Sequence, residues 1–476
     1  MTTVRELLGD GPQVEVSRLA FDNRRVQPGT LFFCVPGFTS DGHDFAADAA
    51  ARGAVALVVE REVDVSLPQM LVPDARAAMA QISARFHGNP SSRLRVVGVT
   101  GTNGKTTTAF LVRSLLESAG MPCGLLGTVK SVVGDVEQPT IRTTPEAIEL
   151  QEVLAAMADA GDLACAMEVS SHALQLRRVD GVCFDAAIFT NLTQDHLDFH
   201  PSMEEYFQAK RRLFAELEPE ARIVNIDDPY GRRLAEEFPA AVTFGIDHPC
   251  DFRAREPELT LAGSRFELVT ADGTRTVTCR LPGRFNISNV LAAVAACHAL
   301  GAPLDVLVSG VAAFEAVPGR FEPVEEGQDF ALLVDYAHTP DSLENVLSAA
   351  RGLSRNRVVV VFGCGGDRDR GKRPQMGAIA ARLADVAILT SDNPRSEDPQ
   401  AIADEVLAGG SGCLRPLLDR RAAIAEAINL AQAGDVVVIA GKGHERGQEF
   451  ADGRKEPFDD VQEARRALRK RVREHS

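Results

Sequence analysis

Tryptophan is absent from this 476-residue chain, and only three tyrosines occur. Nucleic-acid surfaces that stack bases on aromatic side chains need more than that. No run of 18 apolar residues occurs, which excludes the usual signature of a membrane-spanning helix. The N-terminal stretch "MTTVRELLGDG" carries no apolar signal-peptide core, so a cytoplasmic location and no membrane insertion are expected. Cysteines number nine, an odd count, and form no CxxC pair. That disfavours both a disulfide framework and a zinc site, and fits a reduced protein. Positive charge is outweighed, 51 Lys and Arg against 67 Asp and Glu, for a net charge of −16. Broad attraction to nucleic acid or an anionic membrane is therefore excluded. An anionic substrate must be held by a few local Arg, Lys and backbone N–H groups.

What is present is an ordinary globular composition, 45% hydrophobic and 25% charged, long enough for several domains. Residues 1–88 mix the strand-like runs "TLFFCV" and "AVALVVE" with the helical patterns "HDFAADAAARG" and "ARAAMAQISARFHG". "HGNPSSRLR" then reads as a linker, because Asn-Pro and two serines break both periodicities. Residues 89–320 form a second unit. Its apolar runs "RVVGVT", "LACAMEV", "DAAIFTN" and "ARIVNI" suit parallel strands buried on both faces. "SRFELVTADGTRTVTCRLPG" carries an Asp-Gly hairpin signal. Residues 321–476 repeat the alternation with "ALLVDYA", "RVVVVFG", "VAILTSD" and "DVVVIAG". The fold class is α/β: three α/β domains, the central one with a parallel sheet and the last Rossmann-like.

The stretch "VVGVTGTNGKTTT" is the sharpest local signal. A β-branched run enters a turn containing Gly101 and Gly104, followed by Lys105 and Thr106. Such a turn before a helix lets backbone N–H groups meet phosphate oxygens, with a Lys charge and a Thr hydroxyl for Mg²⁺. Val99 stands where the usual pattern has its first glycine. The alternative is a Gly-rich turn with a surface Lys. No guanine-binding Asn-Lys-x-Asp follows. Instead "CAMEVSSHALQLRRVD" ends an apolar run in Glu168, where such sheets offer a metal carboxylate. "FTNLTQDHLDFH" then crowds Asp195, His196 and Asp198 into one loop. In "PSMEEYFQAKRRLFAEL", Ser202 and Glu205 stand in capping-box spacing, and Tyr206, Lys210, Leu213 and Leu217 share a helix face. An unpaired ammonium in an apolar stripe is costly. Lys210 must snorkel, pair, or be chemically altered to an anion that binds metal.

Together with "GRFNISNVLAA", "VPGRFE", "VDYAHTPDSL", "FGCGGDRDRGKRP", "DNPRSEDP" and "AGKGHE", these segments resemble the Mur ligase family in family order, over nearly the whole chain. The resemblance implies an ATP-dependent amide ligase of cell-wall precursor synthesis. It also implies its substrates: ATP, UDP-N-acetylmuramoyl-L-alanyl-D-glutamate, and meso-2,6-diaminopimelate or alternatively L-lysine. A folylpolyglutamate synthetase-like ligase is the other alternative within this fold.

The resemblance assigns roles by position. Residues 1–88 would bind UDP, 89–320 ATP, and 321–476 the amino acid. Gly101, Thr102, Asn103, Gly104, Lys105, Thr106 and Thr107 would hold ATP, with Asn286, Asn289, Arg320, Asp335 and His338. Lys105, Glu168, His196 and Lys210 would be catalytic. Mg²⁺ would be bound by Thr106, Glu168, His196 and Lys210, the last as a carbamate (N6-carboxylysine). Phe21, Asn23, Phe38, Thr39, Ser40, Thr143, Thr144, Ser170 and Arg178 would contact the UDP-sugar dipeptide. One departure is "DNRR", where the family usually has Asp-Ser-Arg. Arg368, Asp392, Asn393, Pro394, Arg395, Gly441 and Glu445 would bind diaminopimelate. A monomer that closes its domains over the substrates is expected.

Overall fold

The computed structural model describes residues 2–9, 11–140, 142–410, 412 and 414–475. It divides into two compact units. One comprises residues 1–100, 120–188 and 208–222; the other 101–119, 189–207 and 223–476.

The first unit opens on a parallel sheet whose strands lie in chain order: Arg18–Ala20, Thr30–Phe33, Ala54–Val59 and Gln69–Leu71. Side-chain alternation decides its packing. Leu31 and Phe33 face the helix Ala75–Phe86 and its Met79 and Ile82, while Phe32 and Cys34 face Ala46 and Ala49. A strand buried on both faces needs the continuous apolar run seen in "TLFFCV". The stretch read as a linker is an ordered 3-10 turn, Pro90–Arg93. Its Ser91 hydroxyl accepts the Cys183 N–H at 3.1 Å, so proline and serine here shape a turn rather than loosen the chain.

The same unit holds the strands Arg95–Thr100, Ala164–Glu168 and Cys123–Leu126. The middle one pairs parallel with both others, and Glu168 stands opposite Val99. Val99 occupies a buried strand position, so the phosphate-type turn begins only after Thr100.

The second unit begins with that turn and the helix Lys105–Ser118. It includes the antiparallel strands Phe252–Thr260, Gly263–Thr270 and Gly273–Cys279. Thr270 faces Gly273 across the tight turn that carries the Asp-Gly signal. A six-stranded sheet follows, ordered Glu322–Pro323, Ala331–Asp335, Val436–Ala440, Val358–Phe362, Val386–Leu389, Leu414–Pro416. All neighbours in it are parallel except the first pair. Val358, Val360 and Phe362 enter one core and Val359 and Val361 the other, so this sheet too is covered on both faces.

The helix bearing Lys210 runs Met203–Ala215, and the Ser202 hydroxyl accepts the Glu205 N–H at 3.2 Å. Leu217 therefore lies beyond the helix rather than on its apolar face. Pro219 bears on the stop, because it has no N–H to donate back to the carbonyl of Ala215, the last helical residue; Glu218 just before it sits at φ 43°. Among the described residues no helix is long and apolar enough to cross a membrane.

Candidate functional site

The turn after Thr100 is shaped by close approach. A Cβ on Gly101 would stand 1.9 Å from Thr190 Oγ1, and one on Gly104 2.4 Å from Asn289 Oδ1. Only glycine fits either place. The loop is tied to Asn191: the Thr102 N–H donates to its carbonyl at 2.9 Å, and the Asn103 N–H to its side-chain oxygen at 2.9 Å. Lys105 folds back, its Nζ donating to the Gly101 and Thr102 carbonyls at 2.9 and 2.7 Å. The ammonium therefore sits on the loop, at the start of a helix whose first N–H groups have no side-chain cap. Thr106 and Thr107 are buried beside it.

Several expected nucleotide residues gather around this loop. Asn289 Oδ1 accepts from Thr108 Oγ1 at 3.3 Å, and its amide donates to Asn286 Oδ1 at 3.1 Å. Arg320 Nη2 donates to Thr106 Oγ1 at 3.0 Å, and its guanidinium lies 4.4 Å over the Tyr336 ring. Asp335 accepts the N–H groups of Phe321 and Ala337 at 2.6 and 2.7 Å. Burial pushes its carboxyl up to about 6, against the Arg320 charge and those two donors. The His338 imidazole is held below its ordinary value by burial and by the neighbouring Lys372 ammonium. Lys372 donates to the His338 carbonyl at 2.9 Å.

His196 lies 3.4 Å from Asp195, Nε2 to Oδ2. Burial would raise the Asp195 carboxyl, but the His196, His338 and Lys372 charges outweigh it and leave it lowered. His196 has φ 55°, the left-handed region that costs a non-glycine residue energy and often marks functional sites. Two residues here escaped the sequence reading. Tyr206 sets its hydroxyl 3.2 Å from Thr102 Oγ1, and Asp341 accepts from Asn103 Nδ2 at 2.5 Å. Tyr206 stood on the helix face with Lys210; Asp341 gave no signal beyond its helix-start position.

The expected amino-acid residues occupy one end of the six-stranded sheet. Arg395, at φ 52°, donates Nη1 to the Gly366 carbonyl at 2.7 Å and pairs Nε with Glu449 at 3.2 Å. A Cβ on Gly365 would lie 3.1 Å from Arg395 Nη1 and 4.0 Å from Arg368 Cγ, so the stem of Arg368 passes the same glycine while its Nη1 donates to the Asp367 carbonyl at 3.0 Å. Pro394 and Gly366 are also pressed together, at 1.9 Å from a Gly366 Cβ to the Pro394 oxygen. Gly441 backs onto Asp392, and Asn393 donates to Glu445 at 2.9 Å. Lys442 and Arg373 lie beneath these loops, both fully buried and both missed by the sequence reading.

In the first unit, Glu168 accepts from the Thr128 N–H and hydroxyl at 2.7 and 3.1 Å. Thr143 meets the same hydroxyl at 3.0 Å. Thr144 donates to the Glu168 carbonyl at 2.8 Å and accepts the Ser170 N–H at 3.1 Å. Arg178 pairs with Glu146 at 2.7 Å and reaches the Thr144 carbonyl at 3.3 Å. Four of the expected dipeptide contacts thus form one network with Glu168. Phe21 packs in the first sheet's core, and the Asn23 amide donates to Asp48 at 2.7 Å. Thr39 and Ser40 are exposed, and Phe38 is 79% exposed. Lys210 is 1% exposed. Among the described residues no three His, Cys, Asp or Glu side chains form a ready cation cage.

Residues 15–87 match the catalytic domain of the Mur ligase family, 99–297 the Mur ligase middle domain, and 319–443 the Mur ligase glutamate ligase domain. The chain belongs to the Mur ligase family, with that family's three-domain α/β fold. It is 49% identical to a UDP-N-acetylmuramoyl-L-alanyl-D-glutamate--2,6-diaminopimelate ligase from Geobacillus thermodenitrificans (strain NG80-2), over 97% of this chain and 96% of that one. A solved structure of a ligase of the same name is 35% identical, with a TM-score of 0.72 over 99% of both chains. The MurF ligase from Thermotoga maritima in complex with ADP is 20% identical, with a TM-score of 0.65 over 98% of this chain and 100% of that one; it shares the fold.

Proposed function

We propose that the chain is an ATP-dependent ligase that joins meso-2,6-diaminopimelate to UDP-N-acetylmuramoyl-L-alanyl-D-glutamate, acting as a cytoplasmic monomer. The observation that carries this reading is that one compact unit holds both the Lys105–Thr106 phosphate loop and the Arg368–Arg395–Glu445 group. The 49% identity to a ligase of that name supports it.

Forming an amide from a carboxylate and an amine is uphill in water, so the carboxylate must be activated. The γ-phosphoryl group of ATP passes to the D-glutamate γ-carboxylate, giving an acyl phosphate and ADP. The neutral amine of diaminopimelate attacks the acyl carbon, and phosphate leaves through a tetrahedral intermediate as the amide forms. Two anions meet in the first step, and Lys105 and the loop N–H groups offset their repulsion. Mg²⁺ supplies further charge neutralisation when bound. Hard cations take oxygen ligands, which suits the Thr106 hydroxyl and the Glu168 carboxylate and would suit a Lys210 carbamate; His196 adds a nitrogen donor. Asn286, Asn289, Arg320, Asp335 and His338 complete the nucleotide site. Thr143, Thr144, Ser170 and Arg178 orient the dipeptide.

Residues 1–88 serve the uridine end through Phe21, Asn23 and the exposed Phe38–Ser40 loop. The Asn23 contact requires that its amide leave Asp48 or share it. The test is an assay of phosphate release and amide formation with ATP, the UDP-sugar dipeptide and a panel of amino acids. Turnover confined to meso-diaminopimelate is the expected result. Phosphate release without any amide product overturns the reading.

A further inference from the structure

The geometry points to Lys442 as a positioning residue that aims Glu445 at the distal amine of the amino-acid substrate; this rests on the amino-acid site proposed above. Lys442 follows the strand Val436–Ala440 and is 0% exposed. Glycines flank it, Gly441 at φ 119° and Gly443 at φ 54°. A Cβ on Gly441 would stand 2.5 Å from Asp392 Oδ2, and one on Gly443 2.8 Å from the Tyr336 Cβ. The backbone is thereby pressed against both neighbouring loops, and the lysine stem is driven inward.

The ammonium is satisfied entirely by groups of the proposed site. Nζ donates to Asn393 Oδ1 at 2.8 Å and to Glu445 Oε2 at 2.9 Å, and lies 3.6 Å from Asp392 Oδ1. A buried ammonium requires such partners. Asn393 Oδ1 also accepts the Glu449 N–H at 3.0 Å, so two donors fix the orientation of this amide. Its Nδ2 then points at Glu445 Oε2, 2.9 Å away.

Glu445 Oε2 thus takes two donors from the core side. Its Oε1 has the Tyr336 hydroxyl at 3.4 Å, long for a hydrogen bond. The Glu445 side chain is 31% exposed where that of Lys442 is 0%. Oε1 is therefore the oxygen presented to a ligand. Arg420, buried beside these carboxylates, is neutralised by Asp460, so one ammonium against the Asp392 and Glu445 carboxylates leaves one negative charge, which a substrate ammonium balances. Lys442 does not touch substrate; it acts through Asn393 and Glu445.

The experiment compares kcat/KM for meso-diaminopimelate and for 2-aminopimelate, the same chain without the distal amine. Wild type, Lys442→Met, Glu445→Gln and the double variant are measured. Wild type should favour diaminopimelate by roughly 30-fold or more. Lys442→Met should lose most of that preference through KM for diaminopimelate, with KM for ATP unchanged within about twofold. The double variant should discriminate no worse than Glu445→Gln alone, because both changes remove one interaction. Should Lys442→Met not fold, Lys442→Gln takes its place with the same loss expected. Retained preference in the single variant, multiplying losses in the double, or failure of both Lys442 variants to fold each overturns the proposal. Wild type that ligates neither compound overturns the parent reading, and this one with it. Wild type that ligates diaminopimelate, with Lys442 variants that discriminate normally, overturns this one alone.

Discussion

Thr106 Oγ1 and Arg320 Nη2 stand 3.0 Å apart, joining the phosphate loop to a residue 214 positions further along the chain. Arg320 also stacks over Tyr336, beside Asp335 and His338. The loop and the segment at the head of the last sheet are therefore one hydrogen-bonded assembly.

Cutting that link should impair phosphate handling. Arg320→Ala is expected to lower kcat/KM for ATP by about 10²–10³, the usual cost of one preorganised charge donor. Lys105→Ala should lose at least as much while circular dichroism and melting temperature stay near wild type. Unchanged ATP kinetics in either variant would remove that residue from the nucleotide site.

Asp335 makes a prediction about pH. Its carboxyl is raised by burial from 3.8 to about 6 in the folded protein. Below pH ~4 it is protonated in both folded and unfolded states. As pH rises through 6 the folded state must carry a buried carboxylate, so this group's contribution to stability falls. The stability of wild type minus that of Asp335→Asn should drop by on the order of 2–3 kcal/mol between pH 4 and 7. Denaturant unfolding at several pH values measures it. A difference that stays flat or grows would contradict the assignment.

Lys210 should carry a carbamate. Its side chain is 1% exposed on the helix Met203–Ala215, at the position where the family resemblance implies a carbamate. With ¹³C-bicarbonate, wild type should show a carbamate carbon signal that Lys210→Ala lacks, and the variant should lose about 10²-fold or more in ligation. An active wild type without that signal would refute the modification.

The sequence disclosed the strands best where both faces are buried. "RVVVVFG" becomes Val358–Phe362 and "DVVVIAG" becomes Val436–Ala440, because a doubly covered strand needs an unbroken apolar run. The phosphate loop was legible because its glycine spacing is local, and Gly101 and Gly104 both take positive φ, although the neighbours that crowd them, Thr190 and Asn289, are distant in sequence. Long-range partners were not. Nothing near Asn103 announces Asp341, and nothing near Asn393 announces that its amide is held by Lys442 and the Glu449 N–H. Such contacts depend on which loops the sheet order brings together. The helix end at Ala215 shows the same limit in miniature. Apolar spacing runs on to Leu217, but Pro219 offers no N–H to the Ala215 carbonyl and the helix ends there.

The central claim turns on Arg395. Its side chain donates through Nε and Nη1, and the stem of Arg368 passes the same Gly365. A guanidinium grips a carboxylate through parallel charge-assisted bonds, and meso-diaminopimelate carries a distal carboxylate that L-lysine lacks. The decisive measurement is kcat/KM for these two amino acids in wild type and in Arg395→Ala. Wild type should prefer meso-diaminopimelate, and Arg395→Ala should lose roughly 30- to 5,000-fold on that substrate, corresponding to about 2–5 kcal/mol. A wild type that prefers L-lysine, or an Arg395→Ala variant whose preference is unchanged, would contradict the account.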